Sequence, residues 1–216
     1  MYENAEALVK NEIDFELKKQ IYYCIINGIE IFRDLRINNI EIFDSELSGN
    51  ILPRIMTFCV DRQFSPDIYV NKKGFESSIK SVNSFKYKVA ELRNNKIVLN
   101  IAKIKNGKNL PGKANYKLNY AQHNNFKEQQ LKLNLDGETN KTIVEPYYGI
   151  VTYSVGKDLN IESIELVIPS TDMETYIYKI DIKNEVERFK TVENDRQNQK
   201  TLVTLKEEFK KNQIIN

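Results

Sequence analysis

The chain has no tryptophan, one histidine, two cysteines, five prolines and eight glycines in 216 residues. Each shortage removes a class of explanation. With His123 alone, no Ser/His/Asp or Cys/His arrangement exists except one built around it, and its setting "AQHNN" reads as an exposed polar turn. Cys24 and Cys59 sit in apolar helical patterns and form neither a CxxC pair nor a His/Cys cluster. They read as buried free thiols that fill the core, which suits a cytoplasmic protein. No stretch approaches the roughly eighteen consecutive apolar residues that a transmembrane helix needs. The N-terminal "MYENAEALVKNEIDFELKK" is too acidic and too broken by charge for a signal peptide. What remains, 41% hydrophobic and 29% charged, predicts a globular chain able to bury a core without disulfides or metals.

One absence is local. Between Glu91 and Glu128 there is no acid, against eight Lys and Arg. The chain average, 30 acids in 216 residues, puts about five in a window of that length. Net charge is −5 over 1–71 (7 basic, 12 acidic), +11 over 72–127 (13 and 2) and −4 over 128–216 (12 and 16), giving the overall +2. Lysine (25), isoleucine (26) and asparagine (25) make up about a third of the chain. These residues have AT-rich codons, so the source is expected to be an AT-rich bacterium or its phage. Codon bias explains abundant lysine; it does not explain missing acids.

The first third, 1–64, reads as helical. Asp14 is a natural N-cap for a helix whose apolar face runs Phe15, Leu17, Ile21, Tyr22, Ile25, Ile26 and Ile29, with Gly28 a kink or an end and Phe32 and Leu35 continuing the face. Asn50 is the expected cap of a second helix, "ILPRIMTFCVDRQF", with Pro53 in its first turn and Ser65–Pro66 as the stop. From 65 to 182 β structure is expected. "DIYV" reads as a strand, and 85–92 and 97–104 as an antiparallel hairpin turning at Asn94–Asn95. "NGKNLPGKAN" reads as a polar loop, "YKLNY" and "QQLKLNL" as a further strand pair, and "YYGIVTYSV", "IESIELVIP" and "TYIYKIDI" as a meander. Helices close the chain over 184–213. The predicted fold is one α+β domain, 1–216: a helical N-terminal third on an antiparallel sheet of hairpins and a meander, with a C-terminal helix.

"EPYYGIVTYSV…IESIELVIPSTD", following a helical first third, resembles an uncharacterised protein family of low-GC Gram-positive bacteria and their prophages. The resemblance covers the last strands and the general layout. It carries no catalytic signature, agrees with the expected source and implies no chemistry.

The acid-free stretch nominates a phosphate-tracking surface made by Arg93, Lys96, Lys103, Lys105, Lys108, Lys113 and Lys117, with Tyr116 and Tyr120 placed to stack on bases. The competing reading is a solvated strand face whose lysines discourage edge pairing. "GKNLPGK" lacks the hydroxyl that a phosphate-binding loop places after its lysine, because Ala114 follows Lys113. Asp67 with Glu91 and Arg93 approximates a metal-dependent nuclease pattern. However, an arginine cannot deprotonate as the expected lysine can, and alternation puts Glu91 on the apolar face with Val89. The tyrosines Tyr147, Tyr148, Tyr153, Tyr176 and Tyr178 read first as cross-strand packing and second as a protein interface. The leading expectation is a non-enzymatic nucleic-acid-binding accessory protein with DNA or RNA as partner and no cofactor or metal. The alternatives are a protein-binding module of the inhibitor or immunity type, whose basic face meets an acidic protein surface, and a divergent nuclease.

Overall fold

Asn4 and Asp14 start the chain's first two helices. Their side chains accept the backbone N–H groups of Ala7 and Leu17, at 2.8 and 2.9 Å, that a helix start leaves unpaired. A computed structural model of the protein describes residues 2–71, 74–84, 86–105, 107–126 and 145–193. The chain divides into two compact units, Met1–Ile182 and Lys183–Asn216. Of the second unit only 183–193 is described, and it is helical, continuing from 182. The "TLVTLKEEFKKN" helix and the "QQLKLNL" strand of the sequence reading lie outside the described residues. Among the described residues no helix is long and apolar enough to cross a membrane.

The first unit is α+β. Helices α1 (Ala5–Glu12), α2 (Phe15–Asn38), α3 (Ile40–Phe43) and α4 (Leu52–Gln63) precede a six-stranded sheet of β1 (Glu76–Ser81), β2 (Lys88–Arg93), β3 (Ile97–Lys103), β4 (Tyr147–Val155), β5 (Ile161–Pro169) and β6 (Tyr176–Asp181). A fifth helix, α5 (Asn115–Ala121), lies in the connection from β3 to β4. Strand order follows chain order, and every pair is antiparallel except β3 with β4. The sheet is therefore mixed where an all-antiparallel one was expected. A parallel step needs a crossover, and α5 forms part of it.

"YKLNY" is therefore helical: Leu118 N–H bonds the Ala114 carbonyl. Five residues cannot separate a period of two from one of 3.6, since Tyr116 and Tyr120 also share a helical face. "DIYV" forms no strand, because the Ile68 and Tyr69 amides fold back onto the Ser65 carbonyl in a turn. Helix α4 starts from Ile51, while Asn50 ends a short 3₁₀ turn, Glu46–Asn50. Gly28 does not end α2, which runs on to Asn38. It is the point where α2 and α4 touch, for a Cβ there would lie 2.5 Å from the Val60 Cα.

Strand β4 is buried at eight of its nine positions, so it is covered on both faces. Tyr153 faces Asp61 of α4 on one side. On the other, Tyr148 and Ile150 join Val98, Ala121 and Met173 in a cluster beneath α5. Asn124, buried just after α5, pins this arrangement. Its amide donates to the carbonyls of Tyr148 and Pro169, both at 2.9 Å, and accepts from the Tyr148 N–H at 2.8 Å. Asn124→Ala would orphan three buried backbone groups and is expected to cost about 3 kcal/mol. A urea midpoint that barely moves would show that this bridge is not formed.

Candidate nucleic-acid interface

Strands β2 and β3 pair at only three positions, Glu91 with Asn100, Leu92 with Leu99 and Arg93 with Val98. Beyond these they part. β2 goes on pairing with β1 through Lys88, and β3 with β4 through Lys103. Asn100 makes the fork possible. Its side-chain amide donates to the Ala90 carbonyl at 3.3 Å, supplying a bond where the ladder stops, and its oxygen accepts from the Tyr148 hydroxyl at 3.0 Å. The gap is a cleft of about 620 Å³, within the range of ligand sites. Val89, Ile101 and Lys103 line it from the strands, Thr57 and Asp61 from α4, and Tyr116 and Lys117 from α5. The β1–β2 turn adds Tyr87, held by its N–H on Asn83 Oδ1 at 2.9 Å and 56% exposed.

The acid-free stretch is thereby divided. Lys103 and Lys117 enter the cleft, and burial lowers the pKa of both. Lys117, expected in water, is only 9% exposed; its ammonium makes one long bond to the Gly112 carbonyl at 3.4 Å. No ion pair engages either lysine among the described residues. Arg93 and Lys96 lie at the other end of the hairpin in a separate hollow with Glu12 and Glu76, and Glu76 stands directly opposite Arg93 in the ladder. Lys105 and Lys108 are exposed in the loop after β3. Lys113 is exposed but pairs with Glu174. A segment without acids in sequence thus meets acids from elsewhere in space.

Both tyrosines of the stretch are half-buried. Tyr116 lines the cleft, and burial pushes its hydroxyl up to about 12. Tyr120 is not free to stack on a base. Its ring packs 5.3 Å from that of Tyr148, and its hydroxyl donates to Glu91 Oε2 at 2.8 Å.

Sequence reasoning missed Asp61 and Tyr87. Asp61 lies in the expected helix "ILPRIMTFCVDRQF" and Tyr87 in the expected strand 85–92, and nothing in either pattern marks a site. In the fold the Asp61 carboxyl has no hydrogen-bond or ion-pair partner among the described residues, and burial pushes it up to about 7 from 3.8. The neutral acid favours folding, and that contribution is lost as pH rises from about 4 to about 7. A shift of some three units is worth at most ~4 kcal/mol, and because the side chain is only half-buried, solvent screening reduces this to about 1–2 kcal/mol. Asp61→Asn is therefore expected to raise the melting temperature by several degrees at pH 8 and to leave it nearly unchanged at pH 4. An equal effect at both pH values would refute the assignment.

No family model, curated protein or solved structure matches the chain. Its reading rests on its own geometry.

The nuclease trio is distributed otherwise. Asp67 lies in an exposed turn, and both its oxygens are taken by Arg62, at 2.7 and 2.5 Å. Those bonds, with Ser65, hold its pKa far below the usual carboxylate range. Glu91 is fully buried against Tyr120. The described residues contain no group of three His, Cys, Asp or Glu side chains able to hold an ion. His123 sits half-buried in a 3₁₀ turn, Gln122–Asn124, and not on an open loop. Both cysteines are unbridged, Cys59 buried and Cys24 half-buried with its thiol toward the Gln63 carbonyl.

Proposed function

We propose that this protein binds single-stranded nucleic acid through the fork between β2 and β3, as a non-enzymatic accessory protein. One observation carries the reading: two lysines without carboxylate partners, Lys103 and Lys117, wall a cleft that the exposed Tyr87 also lines. An unpaired ammonium in a desolvated wall costs stability, and an anionic ligand removes the cost. A phosphate answers the lysines and a base answers the ring. An unpaired strand can offer its phosphate and a free base face together, which favours it over a duplex. Lys105 and Lys108, exposed in the loop that follows β3, add to the attraction; Arg93, Lys96 and Lys113 have acids beside them and contribute less.

Fluorescence anisotropy with single- and double-stranded DNA and RNA, between about 50 and 200 mM salt, tests this. Single strands are expected to bind, with a log–log salt slope of about −1.4 for two neutralised phosphates. No binding to any of the four at low salt would end the reading. A protein-binding module is the second reading. It is favoured by Ile37, Ile40, Ile42 and Leu47, which are 65, 63, 63 and 76% exposed around α3.

A further inference from the structure

We propose that the fork cleft selects guanine, with the Asp61 carboxylate accepting hydrogen bonds from the base's ring N–H and exocyclic amino group. This rests on the reading that the cleft takes a nucleic-acid strand, and adds which base it prefers. Asp61 reaches the cleft from α4 with no partner of its own, while Lys103 and Lys117 are available to a phosphate and Tyr87 to the face of a base. A ligand that meets all of them presents donors to the carboxylate, an anion to the lysines and a flat face to the ring, and two adjacent donors use both carboxylate oxygens. An ionised carboxylate only accepts. Guanine is the one common base with two neighbouring donors on its pairing edge. Adenine and cytosine offer one donor beside an acceptor, and thymine or uracil one donor between two acceptors. A bidentate contact of this kind is worth about a tenfold preference or more.

The surroundings set a pH dependence. The groups around Asp61 are Thr57 one turn before it, Tyr153 from β4, Tyr116 from α5, Tyr87 from the β1–β2 turn, and the cleft lysines Lys103 and Lys117. Burial pushes the Tyr116 and Tyr153 hydroxyls up, away from neutral pH, whereas it brings the Asp61 carboxyl to about 7. Guanine favours the ionised form, so its binding releases a proton and weakens as pH falls below about 7. The protonated carboxyl, one donor beside one acceptor, fits adenine and cytosine instead.

The probes are pentathymidylate and three variants with a central guanine, adenine or cytosine, titrated against wild type and Asp61→Asn at pH 8 and pH 6. At pH 8 the guanine probe is expected to bind wild type about tenfold tighter than pentathymidylate. Asp61→Asn should abolish that preference and leave the salt slope unchanged. At pH 6 the wild-type preference should shrink toward adenine and cytosine. Binding without base preference at pH 8, or a guanine preference retained by Asp61→Asn, overturns this inference alone. No binding of any probe overturns it together with the reading beneath it. The melting temperature of Asp61→Asn, expected to rise at pH 8, verifies that the variant is folded.

Discussion

Gly28→Ala is expected to destabilise the first unit by about 2–3 kcal/mol, although alanine is the better helix former by about 1 kcal/mol. The added Cβ would stand 2.5 Å from the Val60 Cα and 2.9 Å from the Cys59 carbonyl oxygen. Both are backbone atoms of α4, so no side-chain rotation relieves the clash and the two helices must separate. Separation would loosen the contacts of Ile25 and Ile29 on one helix and Met56 and Val60 on the other, all buried. It would also shift Asp61, the residue after Val60, and with it one wall of the cleft. A denaturant midpoint lowered at constant slope is the expected observation. A variant as stable as wild type would mean that α2 and α4 do not meet at this glycine.

The double variant Lys103→Met, Lys117→Met separates function from stability. Methionine keeps the apolar stem of each lysine and removes the charge. Burial lowers both lysine pKa values, so each charged form is penalised in the folded state at every pH below its lowered value, pH 7 included. The variant is therefore expected to melt at the wild-type temperature or above it. Its affinity for a single strand should fall at least tenfold, and its salt slope should flatten by about 1.4. Residues kept for a ligand at the fold's expense behave in this way. A variant that melts lower and binds as before would make the two lysines structural.

Much of this fold was legible in the sequence where local signals agree with one another. Asp14 followed by apolar residues at helical spacing gave α2. The Asn94–Asn95 turn between two alternating runs gave the β2–β3 hairpin, with Asn94 Oδ1 accepting the amides of Lys96 and Ile97, both at 2.8 Å. The meander β4–β6 was equally plain. Strand β1, "ESSIKS", was missed because it is an edge strand with no fully buried position and shows no apolar alternation. The parallel step was missed because its helix, α5, has too few residues to reveal its period.

The cleft was hidden for a different reason. It exists because β2 and β3 part after three pairs, and the residue that allows this is a single asparagine, Asn100, in an otherwise apolar run. The lysines were identified by charge, which says nothing of direction. Two of them turn into the fork, one meets Glu174, and Arg93 stands opposite Glu76. Asp61 carries no signal in one dimension. Its distinction is the absence of a partner, and partners are assigned only by the fold.

The proposed function requires a strand of nucleic acid to enter the fork. Hydrogen–deuterium exchange of the full chain, with and without a saturating single-stranded oligonucleotide, tests this most directly because it reads every segment without altering any residue. Protection is expected over 82–84, 86–90, 101–104 and 111–118, described segments that line the cleft, with no change at the 93–96 turn. Protection at 93–96 or around α3, with the fork unchanged, would contradict it.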